Sequence, residues 1–101
     1  MKEVHVQDAK IFKALCDPKR LYILSLLKDG EKCACKLMEE LAIGQSALSY
    51  HMKILCESNI VKGRAEGKWV HYSISESGAM CAIEKLKDIT NVKEHTESGC
   101  K

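Results

Sequence analysis

A mainly α-helical domain carrying one β-hairpin is the fold class this chain predicts, on three observations. Apolar residues recur at spacings of three and four over most of its length. One stretch only, Ile60 to Ile74, turns β-rich on either side of Ala65-Glu66-Gly67-Lys68. Helix start and stop signals punctuate the remainder at short intervals. A chain of 101 residues holds one core rather than two. Residues 1–89 are therefore expected to form one domain, and the mostly polar residues 90–101 a mobile tail.

Taken in order, residues 1–7 read as an arm. Asp8 to Leu15 can form a short helix with Ile11, Phe12 and Leu15 on one face. Asp17-Pro18 opens the next helix: Asp17 can accept from free first-turn N–H groups, and Pro18 loses no hydrogen bond there. That helix should run to about Lys28, its period set by Leu21, Leu24 and Leu27, until Asp29-Gly30 stops it. A short helix over Cys35–Leu41 buries Leu37, Met38 and Leu41, and a tight turn follows at Ala42-Ile43-Gly44. Gly44 stands at the cap position of the next helix without a side-chain acceptor. That helix, Gln45 to Glu57, has Leu48, Met52 and Leu55 as its buried stripe and Gln45, Ser46, Ser49, Tyr50 and Lys53 away from it. Ile60–Arg64 and Trp69–Ile74 pair as a hairpin with a basic tip, and Ser75 caps a last helix, Glu76–Ile89, with Met80, Ile83 and Leu86 on one face. Two helices joined by a tight turn and followed by a hairpin make a winged helix-turn-helix.

Charge and cysteine usage narrow the function. Sixteen basic residues stand against 14 acidic ones, a net charge of +2. Bulk polyanion binding is thereby excluded, and any nucleic-acid face must be local. Between Gln45 and Ser75, Lys53, Lys62, Arg64 and Lys68 outnumber Glu57 and Glu66, so this third of the chain carries the whole excess. The amino-terminal residues have no apolar signal core, and no apolar run approaches the roughly 20 residues needed to span a membrane. The expected setting is the cytoplasm, with no membrane partner and with thiols kept reduced. Six cysteines then suggest metal binding or redox sensing rather than disulfides, above all at Cys33 and Cys35. No Gly-rich phosphate cradle or nucleophile–base pattern supports an enzyme.

The run Phe12-Lys13-Ala14-Leu15-Cys16-Asp17-Pro18-Lys19-Arg20-Leu21 resembles the ArsR/SmtB family of metal-responsive repressors. So do Gln45-Ser46-Ala47-Leu48-Ser49-Tyr50-His51-Met52-Lys53-Ile54-Leu55 and the wing segment Gly67-Lys68-Trp69-Val70-His71-Tyr72. Glu31-Lys32-Cys33-Ala34-Cys35-Lys36-Leu37 looks like the thiol signature of its arsenic-sensing and cadmium/lead-sensing branches. The resemblance implies a homodimer joined through the first and last helices, where Ile11, Phe12, Leu15, Met80, Ile83 and Leu86 lie. It implies binding to a double-stranded DNA operator with twofold-related half-sites, and release by trivalent arsenic or antimony, or alternatively by Cd(II) or Pb(II). It implies no organic cofactor. Zinc/cobalt sensors of the family place histidines on the last helix; Glu76, Glu84 and Lys87 do not reproduce that set. Persulfide sensors place a cysteine where this chain has Ser25.

On DNA, Gln45 suits adenine, and Ser46 and Ser49 suit bases or phosphates. Tyr50, His51 and Lys53 would position the backbone, with Arg64 and Lys68 of the wing on phosphate or in the minor groove. His51 has an equal alternative, packing back into the domain. On the metal side, thiolates are soft ligands. Residues two apart point about 200° from one another on a regular helix. Cys33 and Cys35 can therefore share an ion only if Cys33 precedes the helix or its first turn unwinds. A third sulfur is wanted for trivalent arsenic; the family's third cysteine falls at Met38, which fits the core pattern better. Cys100, Cys16 and Cys56 are the remaining candidates, and His5 is the arm's available donor for a cadmium/lead site. Packing also accounts for Cys16 before its helix start; Cys56 at the far end of its helix reads equally as a small surface side chain, and Cys81 on the last helix as a dimer-interface or core thiol.

Overall fold

The computed structural model describes residues 2–93, arranged as α1 (Glu3–Ala14), α2 (Pro18–Leu27), β1 (Lys32–Cys33), α3 (Ala34–Leu41), α4 (Gln45–Glu57), β2 (Val61–Glu66), β3 (Trp69–Ile74) and α5 (Glu76–Ile89). Cys100 and most of the expected tail lie outside the described residues.

The amino-terminal residues are not an arm. Helix α1 already begins at Glu3. Val4 stands in helical step with Ile11 and Leu15, and Gln7 Nε2 donates to Glu3 Oε2 at 2.6 Å one turn away. Helix α2 starts as expected, with Asp17 accepting from Lys19 N at 2.7 Å and Arg20 N at 3.3 Å. Its inner face is not the expected one. Arg20, Ile23 and Leu27 are buried, whereas Leu21 is 50% exposed. The inward position beside Asp17 belongs to Arg20, and this rotates Leu21 outward.

Helices α3 and α4 meet at Ala42, whose φ of 53° makes the sharp left-handed turn. Leu37 of α3 and Leu48, Met52 and Leu55 of α4 pack with Ile23, Leu27, Ile60 and Val61 in one core, closed by Ala14 at the end of α1. Met38 packs against its edge, as a core residue does. The β-sheet has three strands in the order β1-β3-β2, all antiparallel. The hairpin reaches Glu66, and Gly67, at φ 65°, turns the chain ahead of Lys68. Strand β1 was not foreseen. It pairs Lys32 with Tyr72 and Cys33 with His71. Two residues have no period to read.

Helix α5 is capped by the Ser75 hydroxyl, which accepts from Gly78 N at 3.1 Å. Gly78 faces the corner between α4 and β2. A Cβ there would stand 1.6 Å from the Asn59 carbonyl oxygen, so only glycine admits this approach. Beyond that corner α5 turns an apolar face outward: Met80, Ile83, Leu86 and Ile89 are all about half exposed, as are Val4 and Val6 of α1. No helix among the described residues is long and apolar enough to cross a membrane.

Candidate nucleic-acid interface and thiol site

Helix α4 divides its residues as the hydrophobic pattern requires. Leu48, Met52, Ile54 and Leu55 face the core, and Gln45, Ser46, Ser49, Tyr50 and Lys53 all lie exposed on the opposite side. Gly44 caps the helix by backbone alone, which leaves the first-turn N–H groups beside Gln45 and Ser46 without a side-chain acceptor. A helix with open amino-terminal donors and short polar side chains is suited to phosphates and base edges.

His51 is turned the other way. It is 8% exposed, and its Nδ1 lies 3.1 Å from Arg20 Nη1. The ring takes the packing alternative, against Arg20 and away from the exposed face of the helix. Arginine only donates, so Nδ1 accepts and the neutral ring carries its proton on Nε2. Arg20 is the residue that sequence reasoning missed. Its Nε donates to the Ala14 carbonyl at 3.1 Å and its Nη2 to the Lys13 carbonyl at 3.0 Å, closing the end of α1. Its sequence signal was its place three residues after the Asp17 cap, on the inner face of α2.

In the wing, Lys68 stands exposed at the tip. Arg64 is differently placed. Its guanidinium forks onto both oxygens of Glu31 at 2.8 Å each and donates to Glu66 at 2.9 Å. That hydrogen bond from Arg64 holds the Glu31 carboxyl below its ordinary range. Arg64 thus carries a charge already shared by two carboxylates, and Lys68 is the wing's freer cation.

Cys33 is the cap residue of α3, in extended conformation at φ −72°, ψ 147°. It precedes the helix, and this is the arrangement in which two thiols at this spacing can converge. The Cys35 Sγ donates to Cys33 Sγ across 2.8 Å, and Cys35 N lies 3.4 Å from the same sulfur. The hydrogen bond from the Cys35 thiol, with the N–H groups of Cys35 and Lys36, holds Cys33 below the ordinary thiol value against some burial and the Glu66 charge. Cys35 is pushed up, chiefly by giving that hydrogen bond. The two sulfurs form a soft donor pair with one thiol primed to ionise.

Among the described residues, the other cysteines do not join them. No cluster of three or more His, Cys, Asp or Glu side chains suited to a metal ion occurs among the described residues. Cys16 is exposed at the α1–α2 corner, contrary to a packing role. Cys56 is half-buried against the core, and burial raises its thiol pKa. Tyr72, raised by burial first and by Cys56 second, lies on the face of β3 opposite to His71 and hence to Cys33. Cys81 is exposed on α5. Cys100 lies outside the described residues.

An exposed polar helix braced by a second helix and flanked by a basic-tipped hairpin defines a winged helix-turn-helix regulator. Residues 17–62 match the bacterial regulatory proteins of the arsR family. The chain is 47% identical over 88 residues to an uncharacterized HTH-type transcriptional regulator of Methanocaldococcus jannaschii, covering 86% of this chain and 99% of that one. It is 42% identical over 84 residues to the arsenical resistance operon repressor of Bacillus subtilis, covering 75% and 80%. The solved structure of HlyU from Vibrio cholerae superimposes with a TM-score of 0.67 at 31% identity, over 89% of this chain and 98% of that one. The chain belongs to the ArsR/SmtB family of transcriptional repressors.

Proposed function

We propose that this repressor acts as a homodimer on a twofold operator and leaves it when trivalent arsenic or antimony binds through Cys33 and Cys35. The observation that supports this most is the placement of Cys33 at the cap of α3, with its sulfur 2.8 Å from that of Cys35. Two thiolates at the start of a helix suit a thiophilic ion, and the likeness to the arsenical resistance repressor of Bacillus subtilis points to arsenic. Both sulfurs lie at the first turn of the helix that braces α4. Drawing them onto one ion distorts that turn and, through Leu37 in the shared core, the seat of the recognition helix. Gln45, Ser46, Ser49, Tyr50 and Lys53 would lie on the DNA, with Lys68 at the wing tip. The exposed apolar faces of α1 and α5, with Ile11, Phe12 and Leu15 at their half-buried margin, would join the two subunits. The third ligand of an arsenic site would come from Cys100 or from a further chain or thiol.

A second reading is favoured by the depressed Cys33 thiol beside Cys35. Oxidation of the pair by a peroxide, with loss of two electrons and two protons, would act on the same helix turn. Anisotropy of a labelled inverted-repeat operator decides between these. Arsenite, antimonite, Cd(II), Pb(II) and Zn(II) are titrated under reducing conditions, and peroxide separately. Release by arsenite or antimonite supports the proposal. Release by Cd(II) or Pb(II) instead reassigns the effector, and release by oxidant alone makes the thiol pair a redox switch.

A further inference from the structure

Among the described residues, the recognition helix is tied to the rest of the domain by one buried polar side-chain contact, between Arg20 and His51. Arg20 reaches three helices at once: it sits on α2, holds the Lys13 and Ala14 carbonyls that end α1, and donates to His51 in the middle of α4. Both side chains are almost wholly buried, at 5% for Arg20 and 8% for His51. On its outward side His51 meets the ring of the exposed Tyr50 edge-on, with centroids 5.3 Å apart. Its position therefore bears on a residue of the DNA-facing surface as well as on the core.

We propose that the Arg20–His51 hydrogen bond positions α4 for DNA, and that protonation of His51 breaks it, so that operator affinity falls as pH falls. This rests on the reading of α4 as the recognition helix. The bond needs a lone pair on Nδ1, and a doubly protonated ring has none. Protonation would replace the acceptor by a cation facing the Arg20 guanidinium at 3.1 Å. The other charged groups that bear on the ring are Asp17, whose carboxylate oxygen lies 3.9 Å from Arg20 Nη1, and Lys19. Helix α1 contributes its two terminal carbonyls, already occupied by Arg20. Burial lowers the His51 pKa first; Asp17 opposes this, and Arg20 and Lys19 add to it. A histidine so lowered binds fewer protons folded than unfolded. Stability is then lost as pH drops through the ordinary value of 6.5 toward the lower folded one.

His51 acts here as a positioning residue, so a pH profile is the informative readout. Operator anisotropy is measured from about pH 7.5 to about pH 5 for the wild type, His51→Gln and His51→Ala. Glutamine offers Arg20 an uncharged acceptor that does not titrate; alanine offers none. The wild type should weaken relative to His51→Gln by up to about tenfold per pH unit below the folded pKa. His51→Ala should bind weakly throughout, with His51→Gln closer to the wild type at neutral pH. Parallel profiles for the wild type and His51→Gln would overturn the proposal. Should His51→Gln fail to fold, the imidazole pKa of His51 in the wild type, read by NMR free and operator-bound, decides alone. A lower value on DNA supports the proposal and equal values overturn it. A wild type that fails to bind DNA at neutral pH overturns the recognition-helix reading itself, and is told apart by that single point.

Discussion

Arg20 shows how much one side chain can carry. From α2 it closes the end of α1 and hydrogen-bonds the middle of α4. Arg20→Met keeps the apolar stem and removes the donors, leaving the Ala14 carbonyl and the His51 nitrogen without partners and the Lys13 carbonyl with the Cys16 N–H alone. We predict a loss of about 2–4 kcal/mol, read as a midpoint shift in urea unfolding at unchanged slope. Cys33 offers a second prediction at this scale. Because its thiol is held below the ordinary range and that of Cys35 above it, Cys33 should be alkylated first at neutral pH. Its rate should fall as pH drops through the lowered value, while its advantage over Cys35 should shrink as pH rises toward the raised value of Cys35, and mass spectrometry of partially labelled protein would show either order. Neither residue was equally legible beforehand. The thiol pair stands out by spacing alone, whereas a buried arginine among leucines looks like a solvated one until its partners, 6 to 31 residues distant, are known.

At the scale of the element, the helix-turn-helix was legible because its apolar residues repeat at helical spacing over α3 and α4 and their boundaries carry turn chemistry. Expected and observed starts of α4 coincide at Gln45. Strand β1 and the early start of α1 were not legible, since the one is two residues long and the other lacks a side-chain cap. The wing was legible as a hairpin but not in its electrostatics. Glu31 lies 33 residues before Arg64, and only the fold brings them together. From that pairing, Lys68→Ala should weaken DNA binding on all sequences alike and lower the salt slope, while Arg64→Ala should do so less. Measuring operator affinity across a salt series tests the order of the two. The seat of α5 gives another prediction. Gly78→Ala sets a methyl against the Asn59 carbonyl and should cost about 1–3 kcal/mol through forced displacement of the helix, visible as a lowered thermal midpoint.

Across the whole molecule, the core and the reading surface are built in one chain, while the apolar faces of α1 and α5 are left open. In a small domain such faces are the natural place for a second copy, and pairing would set two recognition helices at a fixed spacing. Leu86→Glu, in the middle of the outer face of α5, should shift the protein to monomer in sedimentation and lower operator affinity without unfolding the domain. The chain is a repressor of the ArsR/SmtB family, and on the proposal made above the thiol pair at the start of α3 is its sensing site. The most direct measurement is arsenite-driven release of operator DNA under reducing conditions, compared between the wild type and Cys33→Ser. The account predicts that both bind the operator equally well and that only the wild type lets go. Release of the Cys33→Ser variant at the same arsenite concentration would contradict it and move the effector site elsewhere in the chain.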